Sequence, residues 1–212
     1  MDSIQLAPGD ALLIVDVQND FLPAGNLAVP FGDEVVPVLN RYIARFAQLG
    51  LPVYATRDWH PGNHCSFQPQ GGIWPPHCIA GSAGAQFPAT LRLPPQATVV
   101  SKATTPEHDA YSGFEGTDLA ERLRQERVRR LFIGGLATDY CVLNTVIDAL
   151  RLGFQVRLLR DAIRAVDVHP GDGLAAIGEM VRQGARPTVW RDIEAPSFAP
   201  PGRVPASSEG RQ

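Results

Sequence analysis

Short apolar blocks alternate along the chain with stretches whose apolar residues recur every three to four positions. Blocks at 11–15, 52–56, 97–102, 130–134, 154–159 and 186–190 are rich in Val, Ile and Leu and lack polar alternation. That pattern predicts strands covered on both faces. Helical periodicity occupies 33–49, 118–127, 138–152 and 173–182. In the first of these, Val35, Val38, Leu39, Tyr42, Ile43, Phe46 and Leu49 share one face, and Gly50 can end the helix. Gly153 and Gly184 follow two of the others. Strand–helix alternation on this spacing predicts α/β architecture: a single domain over 1–195 with a mainly parallel six-stranded sheet and helices on both faces. Two segments break the rhythm. Residues 58–96 carry Pro, Gly, aromatics and three histidines with little periodicity, and a loop that long inside a domain is usually functional. Residues 196–212 have the composition of a flexible C-terminal tail with no core-forming pattern.

Composition narrows the classes of function. The 212 residues suit one domain, with 44% hydrophobic and 19% charged side chains. Net charge is −3, and no run of Lys or Arg stands out, which excludes a nucleic-acid footprint. The longest clean apolar run, 11–15, is far short of the ~20 residues of a membrane helix. Residues 1–10 lack a basic start and a small-residue cleavage site, so no signal peptide is expected. Cys65, Cys78 and Cys141 are too few for a disulfide scaffold and form no CxxC pair. A cytoplasmic protein is the expectation. The 20 glycines and 19 prolines belong to loops.

Ligands of open parallel sheets bind beyond the carboxyl ends of the strands. Three reactive residues fall there: Asp16 after the first strand, Lys102 at the end of the third, and Cys141 early in the helix after the fourth. Each alone has a bland reading, as a cap, a solvated lysine or a small buried hydrophobe. Together they describe a nucleophile with a base beside it. A helix N-terminus and an ammonium are expected to lower the thiol pKa. In the long loop, Asp58, His60, His64 and His77 combine a carboxylate with three of the chain's five histidines. That donor set suits Zn²⁺, with Fe²⁺ or Mn²⁺ as alternatives. His108 and His169 read as surface residues. Gly171-Asp172-Gly173 imitates a dinucleotide fingerprint but lies too far past its strand, and fits a helix-initiating loop better. No GxxxxGK[ST], GxSxG or HExxH sequence occurs.

Asp16-Val17-Gln18-Asn19-Asp20-Phe21, Asp58-Trp59-His60-Pro61 with His64 and Ser66-Phe67, Trp74-Pro75-Pro76-His77-Cys78, Lys102, Tyr111-Ser112-Gly113-Phe114, and Gly135-Leu136-Ala137-Thr138-Asp139-Tyr140-Cys141 follow in this order. This series resembles the isochorismatase-like cysteine hydrolases over residues 11–190. The metal loop is most similar to that of the nicotinamidase (pyrazinamidase) branch. The resemblance implies Asp16 as general base and acid, Lys102 as its electrostatic partner and Cys141 as nucleophile. It also implies a cis peptide between Leu136 and Ala137, with the Ala137 and Cys141 N–H groups as oxyanion hole. Asp58, His60 and His77 match metal ligands, and His64 matches a position that ligates in some members and only supports the site in others. Phe21, Leu27, Trp74, Tyr111 and Tyr140 match the walls of the substrate pocket. Two departures are Ala103, where glycine commonly follows the lysine, and Ala24-Gly25-Asn26, which replaces a more glycine-rich turn.

The activity implied is hydrolysis of a small carboxamide, nicotinamide to nicotinate and ammonia through a thioester, with one divalent metal ion and pyrazinamide as a further substrate. Three alternatives stay open: a sister amidase acting on another amide or ureido compound, a non-catalytic binding module on the same fold, and a redox-sensing thiol protein. The expected partners are the small amide and, as an alternative to a monomer, further copies of the chain in a homo-oligomer. Nucleic acid and membrane are not among them.

Overall fold

Residues 3–193 are described by a computed structural model of the chain. The expected tail, 196–212, lies outside the described residues. Six strands form one sheet: β1 (Asp10–Val15), β2 (Val53–Asp58), β3 (Thr98–Lys102), β4 (Arg130–Leu136), β5 (Gln155–Arg164) and β6 (Arg186–Thr188). Their spatial order is β3-β2-β1-β4-β5-β6, and neighbouring strands run parallel. Four helices complete the domain: α1 (Val35–Gln48), α2 (Leu119–Gln125), α3 (Leu143–Arg151) and α4 (Asp172–Arg182).

Side-chain alternation along central β1 divides the core in two. Leu12 and Ile14 pack with Leu39, Tyr42, Ile43 and Phe46 of α1. Ala11, Leu13 and Val15 face Leu119 and Leu123 of α2, Val146 and Ala149 of α3, and Met180 of α4. Both faces of the sheet are thus dry, which explains strands without polar alternation. Each fully buried Leu, Ile or Phe in these layers contributes about 1.5–3 kcal/mol.

The structure differs from the sequence pattern at element ends. β5 continues past 159 to Arg164, across Arg160 and Asp161, which look like loop residues. Asp161 is used structurally: its carboxylate accepts the Tyr42 hydroxyl at 3.0 Å and the Trp190 N–H at 2.7 Å. β6 stops at Thr188, and Trp190–Asp192 forms a 3₁₀ turn whose indole stands edge-on to Tyr42. The expected helix 138–152 begins with a π-helical turn, Thr138–Val142, before α3. Apolar spacing does not distinguish these two helical winds.

Segment 58–96 is held by bridges between His60 and Ile79 and between Phe67 and Trp74. Phe67 is buried within it. The Asp20 carboxylate ties this segment to the loop after β1, accepting the Cys78 N–H at 2.7 Å and the Asn26 N–H at 3.2 Å.

Candidate active site

Strand order reverses between β1 and β4, and the crevice at that point lies beyond their carboxyl ends. Gly135, near the end of β4, makes the close approach possible. It has φ +128, and a Cβ there would lie 2.0 Å from the Val15 carbonyl oxygen. The next peptide, Leu136–Ala137, is cis. The π turn then carries Cys141 back toward the end of β1. Asp16 follows Val15 in a left-handed conformation, φ 48, which Asp tolerates better than most residues. Lys102 arrives from the next strands over, since Asp58 of β2 and Lys102 of β3 are register partners. Ala103 after it has φ 50, a conformation that glycine adopts without cost, so the departure from the family pattern here is a strained alanine.

The Lys102 ammonium sits among four acceptors. It lies 3.0 Å from Asp16, 2.5 Å from Asp58, 2.9 Å from the Ala110 carbonyl and 3.5 Å from the Cys141 sulfur. Only 1% of Lys102 is exposed, so it is no surface lysine. Thr56 donates its hydroxyl to Asp16 Oδ1 at 2.7 Å, while Oδ2 faces the ammonium without an aligned hydrogen bond. One carboxylate oxygen each from Asp16 and Asp58 and the Cys141 sulfur lie within 4.8 Å of one another. With the ammonium within 3.5 Å of all three residues, this cluster is charge-compensated by Lys102.

Burial and charge pairing compete in setting the protonation of these groups. Burial raises the Asp16 carboxyl above the usual range, more than Lys102 lowers it. It also pushes the Cys141 thiol well above its usual value, despite the opposing pull of Lys102, and Asp16 and Asp58 add to the rise. This corrects the expectation of a lowered thiol pKa. The physical reason is that a dry site with two carboxylates opposes a third negative charge more than one ammonium favours it. Burial therefore favours the neutral thiol over the thiolate. For Lys102, burial acts downward, but the two carboxylates act more strongly, leaving the ammonium well above the ordinary lysine value. Asp58 goes the other way: burial would raise it, yet Lys102 holds it below the usual carboxylate range.

Asp58, His60 and His77 form a second, buried cluster able to hold a metal ion, with one ligand atom from each within 4.8 Å of the others. Backbone carbonyls set the tautomers. His60 Nδ1 lies 3.2 Å from the Ala103 carbonyl and His77 Nδ1 lies 2.8 Å from the Pro75 carbonyl. A carbonyl can only accept, so each Nδ1 carries the proton and each Nε2 keeps its lone pair, the arrangement of ligating imidazoles. Burial lowers the His77 pKa and favours the neutral form. A carboxylate and two such imidazoles fit a divalent transition ion.

His64 stands apart from that set. Its Nε2 donates to the His108 carbonyl at 3.1 Å, and its Nδ1 lies 2.7 Å from the Ser66 hydroxyl and accepts the Ser66 N–H at 3.3 Å. Its ring packs on His60 with centroids 4.1 Å apart.

The two clusters meet at a cleft of about 390 Å³. Phe21, Leu27, Trp74, Tyr111 and Tyr140 line it together with Asp58, His77, Ala137 and Cys141. Trp74 packs edge-on to Tyr140 and donates its indole N–H to the Tyr111 hydroxyl at 3.0 Å. Val29 and Val166 also line the cleft. Sequence reading does not find them, because an isolated valine in a loop carries no pattern. Asp16 and Lys102 lie behind the sulfur, buried from the cleft.

Gln18 is a further residue whose contacts only the fold reveals. β1 ends before reaching the level of Asp58, and the buried Gln18 amide takes the place of the missing strand. Its Oε1 accepts the Asp58 N–H at 2.8 Å, and its Nε2 donates to the Asp58 carbonyl at 2.8 Å and the Ala85 carbonyl at 2.9 Å.

Comparison with known proteins agrees with this geometry. A family profile described as the Isochorismatase domain matches residues 10–192. The chain is 42% identical to a nicotinamidase of Escherichia coli (strain K12), over 84% of this chain and 93% of that one. The pyrazinamidase of Pyrococcus horikoshii in complex with zinc superposes with a TM-score of 0.83 at 49% identity, covering 86% of this chain and 100% of the other. An L. infantum protein in complex with nicotinate gives a TM-score of 0.83 at 38% identity, covering 91% and 98%. A domain match of this extent, with relatives this similar on the same fold, places the chain in the isochorismatase family of hydrolases.

Proposed function

We propose that this chain is a nicotinamidase, hydrolysing nicotinamide to nicotinate and ammonia, and that pyrazinamide, which keeps the ring nitrogen, is also a substrate. The observation that carries the reading is the meeting of a thiol–carboxylate–ammonium set with a carboxylate–imidazole donor set in one aromatic-walled cleft. Nicotinamide has the two matching groups, a carboxamide and a ring nitrogen. The nicotinamidase relatives and the nicotinate complex support the same substrate class.

In the mechanism that fits, Asp16 takes the Cys141 proton as the sulfur attacks the carboxamide carbon. Proton removal at the moment of attack suits a thiol held neutral by burial. Lys102, 3.5 Å from the sulfur, stabilises the negative charge that develops there while the proton leaves and before the bond to carbon is complete. The Ala137 and Cys141 N–H groups hold the oxyanion of the tetrahedral intermediate, a contribution of roughly 3 kcal/mol per donor. Protonated Asp16 gives its proton to the departing nitrogen, leaving ammonia and a Cys141 thioester. Asp16 then takes a proton from the attacking water, and the thioester breaks to nicotinate and the free thiol.

Asp58, His60 and His77 would hold one divalent ion, zinc by preference, with iron or manganese as alternatives. When bound, the ion supplies an electrophilic anchor for the pyridine nitrogen and so orients the ring. His64 supports the set by packing on His60 and fixing the loop. A nucleophile that must stay reduced suits the cytoplasm. The test is ammonia release from nicotinamide by the purified protein, with and without chelator. Turnover that chelation slows is expected; an inactive metal-loaded protein overturns the reading.

A further inference from the structure

Asp139 lies in the π turn between the cis peptide and the nucleophile, next to the wall residue Tyr140. Its carboxylate reaches out of that turn to the segment after β5, where Oδ1 accepts the Val166 N–H at 3.0 Å and Oδ2 the Asp167 N–H at 2.8 Å. Val166 is itself one of the residues that line the cleft, as is Tyr140. The connection runs on. Asp167, at φ 52, gives its own carboxylate to the Gly173 N–H at 2.7 Å in the first turn of α4. Gly173 fits there because a Cβ would lie 2.5 Å from the Ala165 Cβ. Two consecutive N–H groups on one carboxylate make a charge-assisted clamp. A loop that supplies a pocket wall keeps its place through bonds of this kind.

We propose that Asp139 is a specificity-determining positioning residue: its clamp on the 166–167 backbone holds Val166 in the cleft wall and so limits the room left for the ring. The role rests on the nicotinamidase reading. The clamp makes the cleft close on a single six-membered ring, and amides of wider fused rings are refused because Val166 cannot retreat.

The test compares wild type with Asp139→Ala, Asp139→Asn and Val166→Ala, using nicotinamide and its fused-ring analogue quinoline-3-carboxamide. Asp139→Ala is expected to raise KM for nicotinamide about five- to tenfold with kcat within about twofold, since it loosens a wall without touching the reacting groups. The ratio of kcat/KM for the fused ring over nicotinamide should rise by a similar factor. Asn, which keeps one acceptor oxygen, should give an intermediate shift, and Val166→Ala should reproduce the ratio with the clamp intact. Amide hydrogen exchange at 166 and 167 should quicken in Asp139→Ala while exchange in α1 stays the same. An unchanged ratio, a fall in kcat alone, or lowered thermal stability with KM unmoved would each overturn the proposal. A wild type inactive on nicotinamide refutes the parent function. In that case unaltered exchange at 166 and 167 also refutes the clamp, and quickened exchange upholds it.

Discussion

The Lys102 ammonium is ion-paired with Asp16 and Asp58 and lies against the Cys141 sulfur, so a single charge serves both halves of the site. Lys102→Met would leave two buried carboxylates with no cation between them. The expected cost is about 3–5 kcal/mol in urea denaturation, because an unpaired buried charge is far more costly than an absent pair. Iodoacetamide should also modify Cys141 more slowly in that variant near neutral pH. Asp16 makes a second prediction. Its carboxylate form is the base, so kcat/KM falls as pH drops through its pKa. Burial raises that pKa above the ordinary 3.8, so the acid limb lies at higher pH than a solvated aspartate would give. A profile for nicotinamide that stays flat down to about pH 4 would remove Asp16 as the base. At this scale the residue types were legible in the sequence, but the direction of the thiol shift was not. It depends on how much water the fold removes.

Elements bring these residues together through their ends rather than their middles. The centres of β1, β4 and α1 follow from the apolar pattern, yet the chemistry sits in the turn after β1, the last residues of β2 and β3, and a π turn. Gly135 shows how tightly one such end is set. Gly135→Ala combines an unfavourable φ with a Cβ 2.0 Å from the Val15 carbonyl oxygen. A loss of more than ~4 kcal/mol is expected, beyond the ordinary range for point changes, and yield of folded protein with thermal denaturation checks it. Gln18→Leu tests the substitute rung beside Asp58. Each backbone group left unpaired costs about 1–3 kcal/mol, and zinc titration of metal-free protein should show weaker binding than wild type. Equal affinity would mean that Asp58 keeps its position without the amide.

For the whole molecule, the two halves of the cleft can be separated by choice of substrate. Benzamide keeps the scissile amide and lacks the ring nitrogen. A site built around a polar anchor rejects an analogue without it by up to ~10⁴-fold. The metal-loaded enzyme should therefore hydrolyse nicotinamide far faster than benzamide, and chelation should slow nicotinamide sharply and shrink the gap. Equal slowing of both would place the ion in the amide chemistry or in stability. Equal rates with metal bound would favour a sister amidase.

Much of this protein is written locally. Blocks without polar alternation specify a sheet covered on both faces, helical periodicity specifies what covers it, and a thiol, a lysine and an aspartate at strand ends specify a reactive edge. These survive reading in one dimension because periodicity and residue chemistry are properties of neighbours in sequence. Tertiary structure alone decided the rest. It placed Gln18 on Asp58 and Asp139 on Val166, gave the two ring nitrogens of His64 to Ser66 and His108, and extended β5 across Asp161 to meet Tyr42 and Trp190. Each of these contacts joins segments whose hydrogen-bonding needs are satisfied only after the sheet has assembled. Burial does the same for protonation, since the dry space between β1, β3 and the π turn exists in no single segment.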